Sequence, residues 1–437
     1  QVNYADAGAI TLTARAELPN GEIQGTSEAF VWRPESIRVE TAQNSPGSYE
    51  GNILAKAGEV FSAQLAALNS KGDVTPNFGN ETVPESLQLK SESQELSPAV
   101  RPGVLSNAEG FINAGNGTFR NEGLSYSEVG LTRVTAYIES KNYLPGYHSS
   151  EFELEVSNEL TEIGRFIPYE FEPLTAEFVG NCTDFYYMGQ PQPVALSARA
   201  VNASGELTEN YTGSLAKATP MFYAYDSNDT ELPGHSVSHD GSWEWGEGIG
   251  QFTGNASVTV SRLNSGERDG PFENYVLGWQ LDDQENDNFY SVIENGGLPL
   301  STSFEAIELD SSSLYYGRIN LQDTYAAMND VMPVEGAVEY WDGARFVINR
   351  KDNCETFDSD ALRYVDDSST GPEPIPADLA SLVTLGNGQL SPSSKDIDEL
   401  LRWESELVDD PYSFTFELNV PSFLQYDWDG DSNYQDN

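Results

Sequence analysis

The chain copies itself. "YADAGAITLTA" at 4–14 returns as "YSEVGLTRVTA" at 126–136, and "WRPESI" at 32–37 returns around Pro168 in "RFIPYEF". A longer block, "AGEVFSAQLAALNSKGDVTPNFG" at 57–79, returns as "MGQPQPVALSARAVNASGELTENYTG" at 188–213. It aligns Gly58 with Gly189, Leu65 with Leu196, Gly72 with Gly205, Thr75 with Thr208 and Phe78 with Tyr211. Copies lie 122 (Tyr4 to Tyr126) to 134 (Pro34 to Pro168) positions apart, the size of one β-sandwich module with its loops.

The local pattern agrees. Alternating runs such as "ITLTARAEL", "VFSAQLAAL", "SVTVSRL" and "FTFELNV" sit between clusters of Gly, Pro, Asn and Asp, as strands between turns do. "EYWDGARFVI" reads as a hairpin turning at Asp342-Gly343, with Phe346 and Ile348 on the return strand. Only "DIDELLRWESELV" at 396–408 has helical spacing. The expected fold is all-β: tandem Ig-like β-sandwich modules with a third C-terminal β domain, in an elongated arrangement.

Repeat phase sets the expected boundaries. The "YSEVG" strand closes a module that "GEVFSAQLAAL" opened, so "YADAG" reads as the close of an earlier one. Residues 1–29 are then a stub of an upstream β domain. Sandwiches follow at 30–157 and 158–305, and a β domain at 306–437 whose C-terminal end reads as cut.

Charge narrows the partners. Lys+Arg number 22 against 70 Asp+Glu, a net charge of −48, which excludes the basic footprint that nucleic acid requires and disfavours an anionic membrane surface. Apolar residues at 38% and aromatics at 11% still supply several cores. No apolar run reaches the roughly 18 residues of a membrane-spanning helix.

Several stretches, in order, resemble one bacterial surface family. They are "YSEVG", "IGRFIPYEFE", "FYYMGQPQPVALSARAVNASGELTENYTG", "DGPFENYVLGWQLDD", "YYGRINLQDTY", "VEYWDGARFVINRKDNC" and "FLQYDWDGD". The family is the large C-terminal region of MshQ-like proteins of the mannose-sensitive haemagglutinin (MSHA) type IV pilus system. The resemblance implies an exported adhesin at the extracellular cell surface, with pilus or cell-surface components and a glycan or surface receptor as partners. It brings no catalytic residue. The family pattern continues past "DWDGD" with another strand pair.

Candidate sites are few. Asp427, Asp429 and Asp431 read either as a solvated acidic turn or, by their alternate-carboxylate spacing, as a calcium (Ca2+) loop, although Ser432 replaces the glycine of the EF-type pattern. The loop "LDDQENDNF" offers Asp282, Asp283 and Asp287 as a weaker cation site, with a polar loop as the plain alternative. Trp243 and Trp245 share a strand face, either as core or as an exposed pair for stacking on sugar rings. His235 and His239, about 13 Å apart on a strand, read as surface residues. Cys182 and Cys354 sit in matching "NC" contexts and read as one disulfide made in an oxidising compartment. No Ser/His/Asp triad, P-loop or GxGxxG feature occurs, so the chain is expected not to be an enzyme. The leading expectation is pilus-linked surface attachment, with the third unit binding and the others as spacers. A secreted carbohydrate-binding or carbohydrate-active protein and a purely structural stalk or filament component stay open beside it.

Overall fold

The computed structural model describes residues 3–42, 47–92, 101–138, 140, 143–147, 160–179, 184–226, 231–263, 267–283, 298–300, 304–323, 325, 336–357, 362–365, 382–385, 388–392 and 415–426. The chain forms two compact units. One comprises 1–172, 198–218 and 244–251; the other comprises 173–197, 219–243 and 252–437.

Near the N-terminus, β1 (Gly8–Ile10) pairs with β4 (Phe30–Trp32), and β2 (Thr13–Leu18) forms a hairpin with β3 (Gly21–Thr26) that is exposed throughout. Neither pair enters a sandwich sheet.

The first sandwich holds β5 (Ser36–Thr41), β6 (Ala55–Lys56), β7 (Val60–Leu68), β8 (Leu87–Glu92), β9 (Leu105–Ser106), β10 (Ile112–Gly115), β11 (Thr118–Tyr126), β12 (Gly130–Ile138) and β13 (Thr161–Ile167). One sheet runs β10-β11-β7-β5 and the other β6-β13-β12-β8, with β6 parallel to β13. Strict alternation puts one face of β12 into the core, where Leu65, Phe78, Phe119, Val134 and Phe166 meet. The second sandwich repeats this plan. It uses β14 (Glu170–Phe178), β15 (Phe185–Tyr187), β16 (Gln192–Val201), β17 (Thr219–Tyr225), β18 (Val237–Gly246), β19 (Ile249–Val260), β20 (Phe272–Asp282), β21 (Leu298–Leu300) and β22 (Phe304–Tyr315). Its sheets run β18-β19-β16-β14 and β15-β22-β20-β17, with β15 parallel to β22. Strand for strand, the orders coincide.

β13 completes the first sandwich past residue 157, and β22 completes the second past 305. The last strand of each module runs almost directly into the first strand of the next, so no linker composition marks the division.

The third module repeats one of these sheets. After β22 come β23 (Gly317–Leu321), β24 (Gly336–Trp341), β25 (Phe346–Ile348), β26 (Thr356–Phe357), β27 (Leu362–Val365), β28 (Leu382–Leu385), β29 (Gln389–Pro392) and β30 (Thr415–Leu418). The order β23-β24-β29-β28 matches β5-β7-β11-β10 and β14-β16-β19-β18.

One hydrogen-bonded turn marks all three copies. Thr75 N–H donates to Ala67 O (2.9 Å), Ala67 N–H to Gly117 O (3.0 Å) and Phe78 N–H to Thr75 O (3.1 Å). Thr208, Ala200, Gly248 and Tyr211 repeat these bonds, as do Asn349, Val338, Gly388 and Asp352. Both threonine hydroxyls add a bond to the same carbonyl at 3.0 Å.

A second device is shared within the first unit. Asp6 Oδ1 accepts from the backbone N–H of Ala7 (2.8 Å) and Asn77 (3.0 Å), while Asn69 Nδ2 donates to Ala5 O (2.8 Å). Glu128 likewise accepts from Val129, Glu209 and Asn210, and Asn202 Nδ2 donates to Ser127 O (3.2 Å). Residues 4–8 therefore sit on the first sandwich as residues 126–130 sit at the turn of the second.

Candidate binding face in the third module

The third copy departs from the others at the loop of the shared turn. In the first two modules a short loop joins the bridged pairs Leu68↔Val74 and Val201↔Leu207. At the same point the third module pairs Glu339 with Ile348 and extends β24 and β25 outward through Tyr340↔Val347 and Trp341↔Phe346. The hairpin is the expected one, but its loop is four residues, 342–345, rather than the two of a primed turn. Asp342 sets it: Oδ1 accepts from the N–H of Ala344 (2.9 Å) and Arg345 (2.8 Å), and Gly343 takes φ +96°. These bonds stabilise the ionised carboxylate and hold its pKa below the usual range.

The hairpin carries rings toward a set of guanidinium groups. Trp341 and Phe346 meet edge to face at 5.5 Å, and Phe346 and Tyr426 at 5.2 Å. Arg318 lies 3.8 Å from the Phe346 centroid and 5.2 Å from that of Tyr426, while the exposed Arg268 lies 4.8 Å over Trp341. Each such contact contributes about 0.5–2 kcal/mol, according to how dry it is. Arg318 also pairs with Glu339 at 2.7 Å. Arg262 donates to the carbonyls of Gly317 and Gln425 at 2.7 Å and of Phe423 at 2.5 Å, fixing the segment that presents Tyr426. Trp341, Phe346 and Tyr426 remain half-exposed, and Arg268 and Arg345 are exposed. The face offers a partner aromatic plates beside cations in a strongly acidic chain.

Behind the hairpin lies a buried polar knot. Where the other copies bury Phe78 or Tyr211, this one buries Asp352, which accepts from the Tyr187 hydroxyl at 2.8 Å. Asn349 Nδ2 donates to the same hydroxyl at 2.8 Å, and Gln190 Nε2 to Glu355 at 2.8 Å. Burial and the charge of Asp352 raise the Glu355 pKa to about 7, and burial raises Glu128 to about 7 as well. An unfolded glutamate loses its proton near 4.5, so the folded chain binds more protons between those pH values. The stability these two groups contribute is complete below pH 4.5 and is lost as pH rises through 7. We expect the thermal midpoint to fall between pH 5 and pH 8. Glu128→Gln and Glu355→Gln should each flatten that fall by on the order of 2 kcal/mol, measured by calorimetry across the range; an unchanged slope in both variants would contradict the assignment.

The other expected site residues are dispersed. Trp245 packs on Tyr211 (4.8 Å) and Phe171 (5.4 Å) and donates to Ala218 O, while Trp243 packs on Phe252 (5.3 Å) and Trp279 (5.9 Å). Both rings pack against these neighbours and stay half-exposed. His235 corrects the surface reading. Its side chain is buried, with Nε2 2.8 Å from Asp269 and Nδ1 2.6 Å from Ser261 O. Burial pulls its pKa down, and the bonds to Asp269 and Ser261 outweigh that and leave it raised. Asp282 ends β20 and Asp283 is fully buried, whereas Asp287 lies outside the described residues. So do Asp427, Asp429, Asp431, Cys182 and the helix expected at 396–408; no cysteine among the described residues is free. Phe423 and Leu424 lie in a 3-10 turn, Ser422–Leu424, with Leu424 in the core. Among the described residues, no cluster of three or more His, Cys, Asp or Glu is arranged to hold a metal ion, and no helix is long and apolar enough to cross a membrane.

Two sandwiches of one plan, and a third module that repeats one of their sheets and carries an outgrown aromatic hairpin, define a tandem-sandwich protein with a specialised module. The second-domain model of the DUF6701 family matches residues 33–122, its third-domain model 128–305 and its fourth-domain model 315–437. The chain belongs to the DUF6701 family. No curated protein matches it. Among solved structures, the adhesin InvE of Yersinia pseudotuberculosis is similar at 10% identity and a TM-score of 0.26, over 68% of this chain and 66% of that one, just under two thirds of its length. Domains 5-6 of the S-layer protein SbsC match at 11% identity and 0.16, over 64% and 97%. Zebrafish RET cadherin-like domains 1 to 4 match at 11% and 0.24, over 90% and 76%.

Proposed function

We propose that this chain is part of an exported bacterial surface protein of an MSHA-type type IV pilus system, and that it acts in attachment through its third module. The observation that carries the reading is the extended hairpin. Two copies keep a short loop where the third places Trp341 and Phe346 beside Arg268, and half-exposed aromatic residues with arginine are the composition of binding hot spots. The acidity supports a solvated exterior setting. The resemblance of "VEYWDGARFVINRKDNC" to the MshQ-like pattern supplies the pilus association.

The test is binding of the full chain to bacterial and host cell surfaces, alongside Trp341→Ala and Arg268→Ala. Trp341→Ala should weaken attachment about tenfold or more, the effect of losing a hot spot of roughly 2 kcal/mol. Arg268→Ala should weaken it less. Thermal unfolding of both should stay close to that of the parent chain. Equal attachment by parent and Trp341→Ala would remove the third module from the contact, and no attachment by the parent would favour a structural stalk.

A further inference from the structure

We infer that the first sandwich carries a second, separate binding site: a cleft for an uncharged carbohydrate, floored by residues 4–9 and walled by the loop 77–86 together with Ser140, Leu144, Gly146 and Tyr147. The cleft has a volume of about 880 Å³, within the range of small-ligand pockets. It does not depend on the third-module hairpin.

The cleft is a departure from the repeat, not a by-product of it. Gly8 and Gly130 occupy equivalent points of the two turns described above, with φ of +134° and +93°. A Cβ on Gly130 would meet Leu215 at 3.2 Å and Tyr49 at 3.7 Å, so that space is filled. A Cβ on Gly8 would meet nothing within 4 Å. The first module has left open what the second closes.

Its walls are fixed. Tyr143 is fully buried against Phe78 (5.6 Å) and donates its hydroxyl to Glu81 at 2.7 Å. Ser140 donates to Glu85 at 2.8 Å, anchoring the far end of the same loop. The floor is tied by Asp6 to the Asn77 N–H and by Asn77 Nδ2 to the Tyr4 hydroxyl at 3.2 Å. Such a frame holds its shape without a ligand, which lowers the ordering cost of binding.

The chemistry of the lining selects the ligand. Among the described residues of the lining the charged ones are Glu81 and Glu85, and their carboxylates disfavour an anion. The remaining polar groups include the Thr82 hydroxyl and the Asn80 amide, whose Nδ2 already donates to Pro76 O at 2.9 Å and whose Oδ1 can accept, as a polyol requires. Tyr147, 56% exposed, supplies an aromatic face at the rim, and Leu144 an apolar one. A sugar ring, apolar on its C–H face and hydroxylated at its edge, meets both demands; a flat apolar ligand would leave the polar wall unmatched.

The experiment probes the full chain with an array of uncharged oligosaccharides (glucose, mannose, galactose and N-acetylhexosamine chains) together with acidic and amine-bearing ones. Hits are then titrated calorimetrically. Two variants test the place: Tyr147→Ala removes the ring, and Gly146→Trp fills the cleft from a position where a Cβ meets nothing within 4 Å. We expect binding to uncharged chains, weakened at least tenfold by both variants and unchanged by Trp341→Ala, with parental thermal unfolding throughout. Binding confined to acidic or amine-bearing glycans, no binding at all, or binding undiminished by both variants would overturn the site. Loss in Trp341→Ala alone would move sugar binding to the third module and overturn it equally.

Discussion

Gly117→Ala should destabilise the first sandwich by roughly 3–5 kcal/mol, far more than a glycine-to-alanine change in a loop normally costs. Two costs add. Gly117 sits at φ +72°, where an L-residue loses about 1 kcal/mol or more. Its new Cβ would also lie 2.2 Å from the Thr75 carbonyl oxygen. That oxygen belongs to the turn that accepts from Phe78, and the Gly117 carbonyl receives Ala67, so neither strand can move aside without breaking a buried bond. Gly248 and Gly388 stand in the same relation to Thr208 O (2.5 Å) and Asn349 O (2.3 Å), at φ +78° and +70°. The control is Gly115→Ala: φ is +88° but a Cβ there meets nothing within 4 Å, so only the backbone cost of about 1 kcal/mol applies. Urea unfolding of the two variants gives the comparison. Equal losses would mean that the turn yields and that the close approach is not what fixes the glycine.

How much of this was legible follows from where the repeat survives. The 57–79 and 188–213 blocks align because they contain β7 and β16 with their turns, where Thr75/Thr208 and Phe78/Tyr211 have to keep size and hydrogen bonding. The third copy escaped the sequence comparison for a physical reason. It replaces the threonine by Asn349 and the buried aromatic by Asp352, and takes its aromatic from Tyr187, whose hydroxyl bonds Asp352. The outgrown hairpin also shifts the spacing between Val338 and Asn349 relative to that between Ala67 and Thr75. "EYWDGARFVI" was readable as a hairpin because alternation and Asp-Gly are local signals. Its role was not, because Arg262, Arg268 and Arg318 reach it from distant strands and loops. Trp243 and Trp245 show the converse: a shared strand face is visible in sequence, but the partners covering it are not. The cleft of the first module had no sequence signal beyond the matching turns, since a space is defined by what its neighbours lack.

The largest effect in the second unit is expected from its cysteines. We propose that Cys182 and Cys354 form a disulfide. The segments around them are already joined: Tyr187 bonds Asp352, and Gln190 bonds Glu355, on either side of Cys354. Cys354 itself donates its backbone N–H to Asp352 at 3.1 Å, which holds it at this knot. Cys182 lies three residues before β15, the strand that carries Tyr187. A bond there closes a loop of about 170 residues and restricts the unfolded chain by roughly 4–5 kcal/mol in the chain-entropy model. Cys354→Ser, or reduction of the parent chain, should therefore lower the urea midpoint of the second unit and leave the transition of the first close to its parental value. The bond itself is read by peptide mapping without reductant, where one cross-linked peptide containing both cysteines is expected. Two free thiols in the folded, air-exposed chain would remove the disulfide.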